Sequence, residues 1–478
     1  MVPPDAGGGL MRGDLLSDPV EGLDEAFAVV DAFDEALVAG LLRPGPAHAA
    51  GVNGLAGAVA GTPLAARVAE AAEKAAAGTG GEDHFVALAA ARNALLGSVH
   101  DALVQRIDEA VGRPVMGEEA AGPGPVSDAA PEQSANLLAA ARSWLCDLAR
   151  GGWRGLDHER VAGAAPVVAA MLPEPGMRRR AALLDGFAAE LAASCPGATL
   201  ERVPVRRWAD LWSRALLLTV SGSAGAGAVG TVSGRLLPLG VDVQEHATAV
   251  QAQVHAVLEP AGGGAPRLVR ASVSAPKPDT VVGAGLWQLL RPRMSLLGAV
   301  GEGRSAEVEA MPVTAEGDLL WDDALARTGE PADAFATARV MLSAATAARV
   351  EPLDRHPVRI AVPVLLEGYA AREGEDGLAF EVAGRLLAVD TDRMPAAGPL
   401  TPEAVAASHA CVGLLRWDAG EFLLQPLAVE TSVRKKTVAV HAGAWAGGTT
   451  DKAGVRAEKA ATDAVAVLRE RAGRLLRT

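Results

Sequence analysis

The sequence predicts an α+β protein in two parts, an all-helical N-terminal half and a mixed C-terminal half. Apolar residues recur at helical spacing up to about residue 220, whereas from Val250 they alternate with polar residues as in half-buried strands. Between these regions the pattern changes at a Gly-rich stretch, residues 222–238. A chain of 478 residues is also longer than one compact core normally holds. We therefore expect a helical array, then a mostly antiparallel sheet and a C-terminal helix.

Composition shifts divide the chain further. The predicted segments are a disordered leader over 1–20, a helical domain over 21–220, a Gly-rich hinge over 221–235 and an α+β domain over 236–478. Residues 113–130 lack periodicity, so the helical half is either one domain or two with a break there. Met11 is an alternative to Met1 as the true start.

The helical half has one long amphipathic segment and several shorter ones. The long helix opens at Glu82 and Asp83, acids suited to a helix N-terminus, and runs to Gly112. Its apolar stripe contains Phe85, Leu88, Leu95, Val99, Leu103 and Ile107. Further helices are predicted over 21–42, 48–60, 63–77, from Pro131, and over 157–171, 176–194 and 204–219. Together they indicate helices joined by short connections.

The pattern of the C-terminal half predicts strands and turns. A hairpin is predicted from Val250 to Val273 around the glycines at 262–264, and a second turn at 417–420. Further strands are predicted over 306–313, 317–321, 357–367, 377–389, 411–416, 421–429 and 432–441, and helices over 284–298, 331–348 and 452–476. The last helix carries Val465, Leu468, Ala472 and Leu475 on one side and is expected to pack across the sheet.

Composition and charge exclude several classes of function. The net charge of −14 argues against a general nucleic-acid binder, because neutralising phosphates requires clustered Lys and Arg. The three cysteines lie in apolar or helical contexts without a CxxC motif, which indicates buried thiols in a reducing cytoplasm. The N-terminal residues lack the pattern of a signal peptide, and no apolar run is long enough for a membrane span. We therefore expect a cytoplasmic protein.

A phosphate-binding loop is the first candidate site. Residues Gly225 to Gly230 match GxGxxG, but a dinucleotide site needs a helix directly after the glycines, and Thr231, Val232 and Pro238 favour strand and turn instead. No GxxxxGK[ST] motif occurs. A hinge explains these glycines better, and no cofactor is predicted.

A basic cluster in the helical half is the second candidate. The residues predicted to contact an anion or a partner are Arg178, Arg179, Arg180, Arg206, Arg207 and Trp208. The alternative is a solvated helix face, whose charge Asp185, Glu190 and Asp210 largely offset.

Side chains that could carry catalysis or bind a metal are scattered. The groups considered are Asp242 with Glu245, His246 and His255 as metal ligands, His409 with Cys411 as a nucleophile pair, Ser432 with Lys435 as an SxxK motif, and Asp318, Asp322, Asp390 and Asp392 as acids. Surface positions explain the metal candidates better, and core burial explains His409 with Cys411. A charged strand edge explains Ser432 with Lys435, and turns explain the four acids. No catalytic or metal-binding residue is predicted.

Two short strings repeat within the chain. Val232 and Val382 each open a six-residue piece ending in Gly-Arg-Leu-Leu. Six common residues are more simply a coincidence than a duplicated strand.

Four longer strings carry a resemblance to a known family. They are GRLLPLGVDV, GDLLWDD, LDRHPVRIAVPVLLEGY and CVGLLRWDAG. With them the chain resembles an uncharacterised actinobacterial family associated with gene clusters for MoxR-type AAA ATPases, von Willebrand A proteins and SWIM zinc-finger proteins. The resemblance implies at most an accessory role beside an ATPase, because this chain has neither a P-loop nor the CxC…CxH pattern of a SWIM finger.

The sequence thus favours a non-catalytic interaction or adaptor protein whose partners are other proteins. The first alternative is a hydrolase or transferase that uses acids between Asp318 and Asp392, and the second is nucleic-acid or anion binding through Arg178 to Arg214. Convergence of those acids with His356 in a deep pocket would favour the enzyme, whereas their separation and an exposed apolar surface would favour the adaptor. The oligomeric state is left open.

Overall fold

A computed structural model describes residues 12–113, 132–220, 228–374 and 377–475. Within these ranges the predicted α+β, two-part architecture is confirmed: helices precede a mostly antiparallel β-half that ends in a helix. No helix in the described part of the chain is both long and apolar enough to cross a bilayer.

The N-terminal half contains ten α-helices in its described residues. They are α1 Gly13–Ser17, α2 Leu23–Ala39, α3 Pro46–Ala58, α4 Ala65–Ala76, α5 Glu82–Val111, α6 Glu132–Gly151, α7 His158–Ala162, α8 Ala164–Met171, α9 Arg178–Ala193 and α10 Val205–Leu217. Helix α5 ends as its sequence predicts, because Gly112 adopts the left-handed conformation that closes a helix. Three tryptophans of the half, Trp153, Trp208 and Trp212, are fully buried in its core.

The first strands after the helical half close into a barrel. They are β1 Gly230–Glu245, β2 Ala249–Pro260, β3 Arg267–Pro276, β4 Arg304–Val313, β5 Asp318–Leu319, β6 Ala326–Pro331 and β7 Thr346–Ala347, with helices α11 Leu286–Leu290, α12 Leu296–Gly301 and α13 Ala334–Met341 among them. Strand β1 pairs with β2 through its later residues and with β4 through its earlier ones. The ring continues from β2 to β3, from β3 in parallel to β5, and back to β4, which also pairs with β6. We call this the first barrel.

The remaining strands repeat that connectivity. They are β8 Val362–Glu367, β9 Ala370–Gly374, β10 Gly377–Val382, β11 Arg385–Val389, β12 Ser408–Asp418, β13 Glu421–Val433 and β14 Lys436–His441, with helices α14 Pro402–Ala406 and α15 Lys452–Leu475. Strands β8 and β9 are two halves of one bent first strand, one pairing with β12 and the other with β10. Strand β10 pairs with β11, which runs parallel to β13, which in turn pairs with β12. We call this the second barrel.

Both barrels therefore have the strand order 1-2-3-5-4-1, with helix between the third and fourth strands. This is the connectivity of the OB-fold, a five-stranded Greek-key barrel. The repeated Gly-Arg-Leu-Leu pieces do not mark this duplication. One lies in the first strand of the first barrel, from Val232. The other begins at Val382, the last residue of the second strand of the second barrel, and runs through the turn into the third strand.

Several predicted boundaries change. Residues 12–20 of the expected leader include α1, whose Gly13 packs directly on Val382, so this part is structured. Residues 230–235 of the expected hinge belong to β1, because their backbones pair with β4. Residues 1–11 and 221–227, and all but the first residue of the expected break at 113–130, lie outside the described residues.

Helix α15 does not pack across a sheet as expected. Its first half lies against α11 and the turn before it, where Ala461 approaches Gly285 and Glu458 pairs with Arg291 at 3.1 Å. Leu468 is 46% exposed, so the later part of the stripe is not covered by the barrels.

The two barrels pack through their outer faces. Leu237, Leu239 and Val257 of the first barrel form one apolar cluster with strands β12 and β13 of the second and with Phe335 of α13. Gly240 lies at a bulge of β1, where a Cβ atom would come 2.6 Å from Cβ of Leu427. The strands approach this closely because Gly240 has no side chain.

We predict that Gly240→Val destabilises the protein. The added side chain must displace β13, and overpacking of this kind costs about 1–3 kcal/mol. The control is Gly186→Ala in the middle of α9, where a Cβ meets nothing within 4 Å and which should gain about 0.5–1 kcal/mol from helix propensity. Chemical denaturation measures both, and equal stability of the two variants would contradict the packing described here.

Candidate functional site

Barrels of this connectivity bind ligands on the outer face of their second and third strands. In the first barrel this face includes β2 and β3, and the second barrel covers its β2 side, so that Val257 and His255 are buried while Ser272 and Ser274 of β3 are exposed. In the second barrel the equivalent face is formed by β10 and β11 together with β9. The two barrels therefore differ in what their faces can contact.

A buried polar network joins the barrels at the covered face. The carboxylate of Asp242 accepts hydrogen bonds from Arg416 at 2.9 Å and from Gln425 at 2.8 Å, and the Gln425 carbonyl accepts one from Arg416. Burial, the largest influence, opposes ionisation of Asp242, but the hydrogen bond from Gln244 and the charge of Arg416 outweigh it and lower its pKa. The network is an ionised, internally satisfied contact between β1 and the strands β12 and β13.

His255 lies beside this network. Its side chain is 1% exposed, and its Nε2 atom has no hydrogen-bond partner among the described residues. Burial lowers the pKa of His255 to about 3, against the opposing pull of Asp242. The sequence interpretation placed both residues on the surface, which is wrong because the second barrel covers this strand face. Glu245 and His246 are exposed as expected, and no group of three metal-binding side chains occurs among the described residues.

The open face of the second barrel carries a shallow groove of about 520 Å³. Half of its eight described lining residues have little or no side chain, namely Gly374, Gly377, Ala379 and Gly384. Arg372 donates to Glu381 at 2.8 Å, and the third charged residue of the lining, Glu373, is exposed. Leu386 is 67% exposed at its border. The groove can accept an extended backbone and offers one apolar contact.

The acids considered for catalysis have separate partners. Asp318 pairs with Arg270 at 2.8 Å, Asp322 accepts the N–H of Ala324, and Asp390 pairs with Arg393 at 2.8 Å. Asp392 is exposed in the loop after β11. His356 lies against Asp210 of α10 at 3.2 Å. In the described part of the chain, these acids and His356 therefore do not converge around one reacting atom.

The basic cluster in the helical half is largely engaged within the protein. Arg207 forms two hydrogen bonds with Glu190, at 2.7 and 2.9 Å, and the buried Trp208 donates to the same carboxylate. Arg206 pairs with Asp31. The side chains of Arg178 and Arg180 donate to the carbonyls of Leu172 and Leu218, whereas Arg179 is exposed. Contact of these six residues with an anion or a partner stays a prediction.

The nucleophile candidates separate at a bulge. Strand β12 shifts register between Ser408 and Ala410, so His409 is exposed while Cys411 is buried in the core of the second barrel. Burial raises the pKa of the Cys411 thiol far above its ordinary value. Lys435 lies in the turn between β13 and β14 rather than on a helix, as the sequence suggested.

A second buried network, not foreseen from sequence, joins the helical half to the barrels. Arg92 of α5 is fully buried and binds Asp34 of α2 through two hydrogen bonds, at 2.6 and 2.8 Å, and Asp210 of α10 at 2.7 Å. Asp210 in turn contacts His356, which lies shortly before β8. The only sequence signal is an arginine on the apolar stretch of α5.

We predict that Arg416→Met destabilises the protein by about 3–5 kcal/mol, because it leaves Asp242 buried without its cation. The matched control is Arg385→Met, which removes an exposed arginine of the same barrel and should change stability by no more than about 0.5 kcal/mol. Denaturant titration at neutral pH makes the comparison. Similar losses in both variants would mean that the network between the barrels contributes nothing specific.

We also predict an acid-dependent loss of stability through His255. Its native pKa of about 3 lies below the value of about 6.5 in an unfolded chain, so between these values the unfolded state binds a proton that the native state does not. Stability contributed by neutral His255 is therefore complete above about pH 6.5 and falls by about 2 kcal/mol between pH 7 and pH 5.

His255→Leu should remove this part of the pH dependence. The control His158→Gln replaces an exposed imidazole and should keep the wild-type profile. The measurement is the free energy of unfolding at a series of pH values, and parallel profiles for wild type and His255→Leu would contradict the burial of the imidazole.

Comparisons of this chain with protein-family models, with curated proteins and with solved structures give no match. The assignment of function therefore rests on the two barrels and on the surfaces that they leave open.

Proposed function

We propose that this chain is a non-catalytic interaction protein of the cytoplasm, whose partner is a protein segment held in the groove over β9, β10 and β11. The observation that carries the proposal is the groove itself. It lies where a barrel of this connectivity receives its ligand, and neither the first barrel nor the helical half is needed to form it.

The chemistry of the groove favours a protein segment over a nucleic acid. Single-stranded nucleic acids require a basic channel and aromatic side chains on which bases stack. Here Arg372 is paired with Glu381, and none of the described residues that line the groove is aromatic. Tyr369 and Phe380 stack on each other at 3.9 Å between ring centroids, and Phe380 is fully buried.

The small residues of the groove support the same proposal. Gly374, Gly377, Ala379 and Gly384 leave space for a backbone to approach the strands. Leu386 would pack against an apolar side chain of that segment, and burying a leucine contributes roughly 1.5–3 kcal/mol. Affinity would come from one anchor and many weak contacts, which is typical of a transient partner.

The resemblance to a family encoded beside AAA ATPases extends the proposal. We propose that the partner belongs to such an ATPase-containing system and that this chain is an accessory component of it. The accessory role rests on the resemblance alone, and identifying the partner protein tests it.

We predict that a photo-crosslinking amino acid at position 386 captures a discrete protein in the native cytoplasm. The matched control is the same amino acid at Leu320, which is 43% exposed on the first barrel. Leu386→Asp, with the crosslinker moved to position 385, should abolish the adduct because a charge replaces the anchor. Mass spectrometry identifies the captured protein.

The outcomes separate the two parts of the proposal. Equal adducts at positions 386 and 320, or an adduct that survives Leu386→Asp, would contradict the groove as the binding surface. A captured protein outside any ATPase-containing system would contradict only the accessory role.

A further inference from the structure

The last turns of α15 stand clear of both barrels. Ala461 is buried beside Gly285, and Val465 is half-buried. Beyond Val465, residues 466–472 are all exposed. A helical segment that packs against nothing is only marginally stable in water, so this part of α15 gains stability from any surface that covers it.

The apolar positions of α15 continue across this exposed part at the spacing of a coiled coil. Ala461, Val465, Leu468 and Ala472 follow one another at intervals of four, three and four residues. These are the a and d positions of a heptad, through which one helix pairs with another. Of the four residues, only Ala461 belongs to the core of the first barrel. We call Val465, Leu468 and Ala472 the open seam.

The charges beside the open seam are basic. With Val465 at position a and Leu468 at position d, Arg469 occupies position e and Arg471 occupies position g. Both arginines are exposed, and neither forms a hydrogen bond or an ion pair with any described residue. In coiled coils, charges at e and g pair with those of the facing helix and thereby select it. The open seam therefore fits a helix that carries carboxylates at its own flanking positions.

A second copy of the chain does not meet this requirement. The described e and g positions beside the open seam and one turn before it are Thr462, Ala464, Arg469 and Arg471, and none of them is acidic. Another α15 in either direction would thus offer no carboxylate from these positions to the arginines. A membrane surface also fits less well, because helices that lie on lipid carry a broad apolar face with large side chains, whereas the open seam is narrow.

We propose that the open seam docks an acidic amphipathic helix of a partner protein, so that the two helices form a short coiled coil. Leu468 would pack at its centre, and Arg469 and Arg471 would pair with carboxylates of the partner. No described residue of α15 lines the groove over β9, β10 and β11, so this contact goes beyond the proposed function and does not rest on it. Because the exposed pairs are screened by salt, the affinity should fall as ionic strength rises.

The test uses the full chain and a synthetic peptide of about three heptads, with leucine at a and d and glutamate at e and g. Repulsion between its glutamates keeps this peptide from pairing with itself at neutral pH. A second peptide carries lysine in place of each glutamate. Fluorescence anisotropy of each labelled peptide measures its Kd. We expect the glutamate peptide to bind and the lysine peptide not to bind.

Two substitutions at adjacent and equally exposed positions locate the contact. Leu468→Gln should raise the Kd of the glutamate peptide about tenfold or more, because the leucine no longer packs in the seam. Val467→Gln is the matched control, since Val467 and Leu468 are both 46% exposed but Val467 lies outside the seam. It should bind the peptide as wild type does, and so should Leu386→Asp in the groove.

Charge reversal tests the choice of partner. In the double variant with Arg469→Glu and Arg471→Glu, the lysine peptide should bind and the glutamate peptide should not, an exchange that a purely structural role of the arginines would not produce. The proposal is overturned if wild type binds neither peptide or both equally, or if Leu468→Gln binds as well as Val467→Gln. It is also overturned if Leu468→Gln abolishes self-association of the chain or its binding to phosphatidylserine vesicles, because the seam then serves a second copy or a membrane.

Discussion

The contact between the outer faces of the two barrels determines what this protein can present to its surroundings. At its centre Asp242, Arg416 and Gln425 satisfy one another's hydrogen bonds away from water. Around it, Leu237, Leu239 and Val257 of the first barrel are buried against the second. Burying a carboxylate is costly unless a cation and donors meet it, so the contact tolerates little displacement. Two barrels of the same connectivity therefore leave different parts of their outer faces open to solvent.

Much of the helical half could be predicted from the sequence because its signals are local. Helix α5 was expected from Glu82 to Gly112 and is found at Glu82–Val111, since acids mark its start and a glycine its end. The turn at 417–420 was also confirmed, with Ala419 and Gly420 both at positive φ. By contrast, residues 377–389 were expected as one strand. They form two strands, because Ala383 and Gly384 turn the chain, and an alanine gives no sign of that conformation.

What the sequence could not supply was the pairing of distant segments. Closure of the two barrels depends on the parallel pairing of β3 with β5 and of β11 with β13. No residue spacing in the sequence predicts either pairing. The same limit explains the error at Asp242 and His255. Alternation correctly assigned His255 to the polar side of β2, but it cannot tell whether water or another barrel lies on that side. The groove was missed as well, because Gly374, Gly377 and Gly384 lie in or beside turns, where a glycine already has a local explanation.

The contacts of Arg92 help to hold the helical half and the β-half together. Its guanidinium is enclosed by helices α2, α5 and α10, and Asp210 carries the contact on to His356 in the β-half. The covalent connection through residues 221–227 is thus not what keeps the two parts together. Polypeptides ending before and beginning after that connection should associate when produced separately and rebuild the native fold, as the complementing fragments of split proteins do.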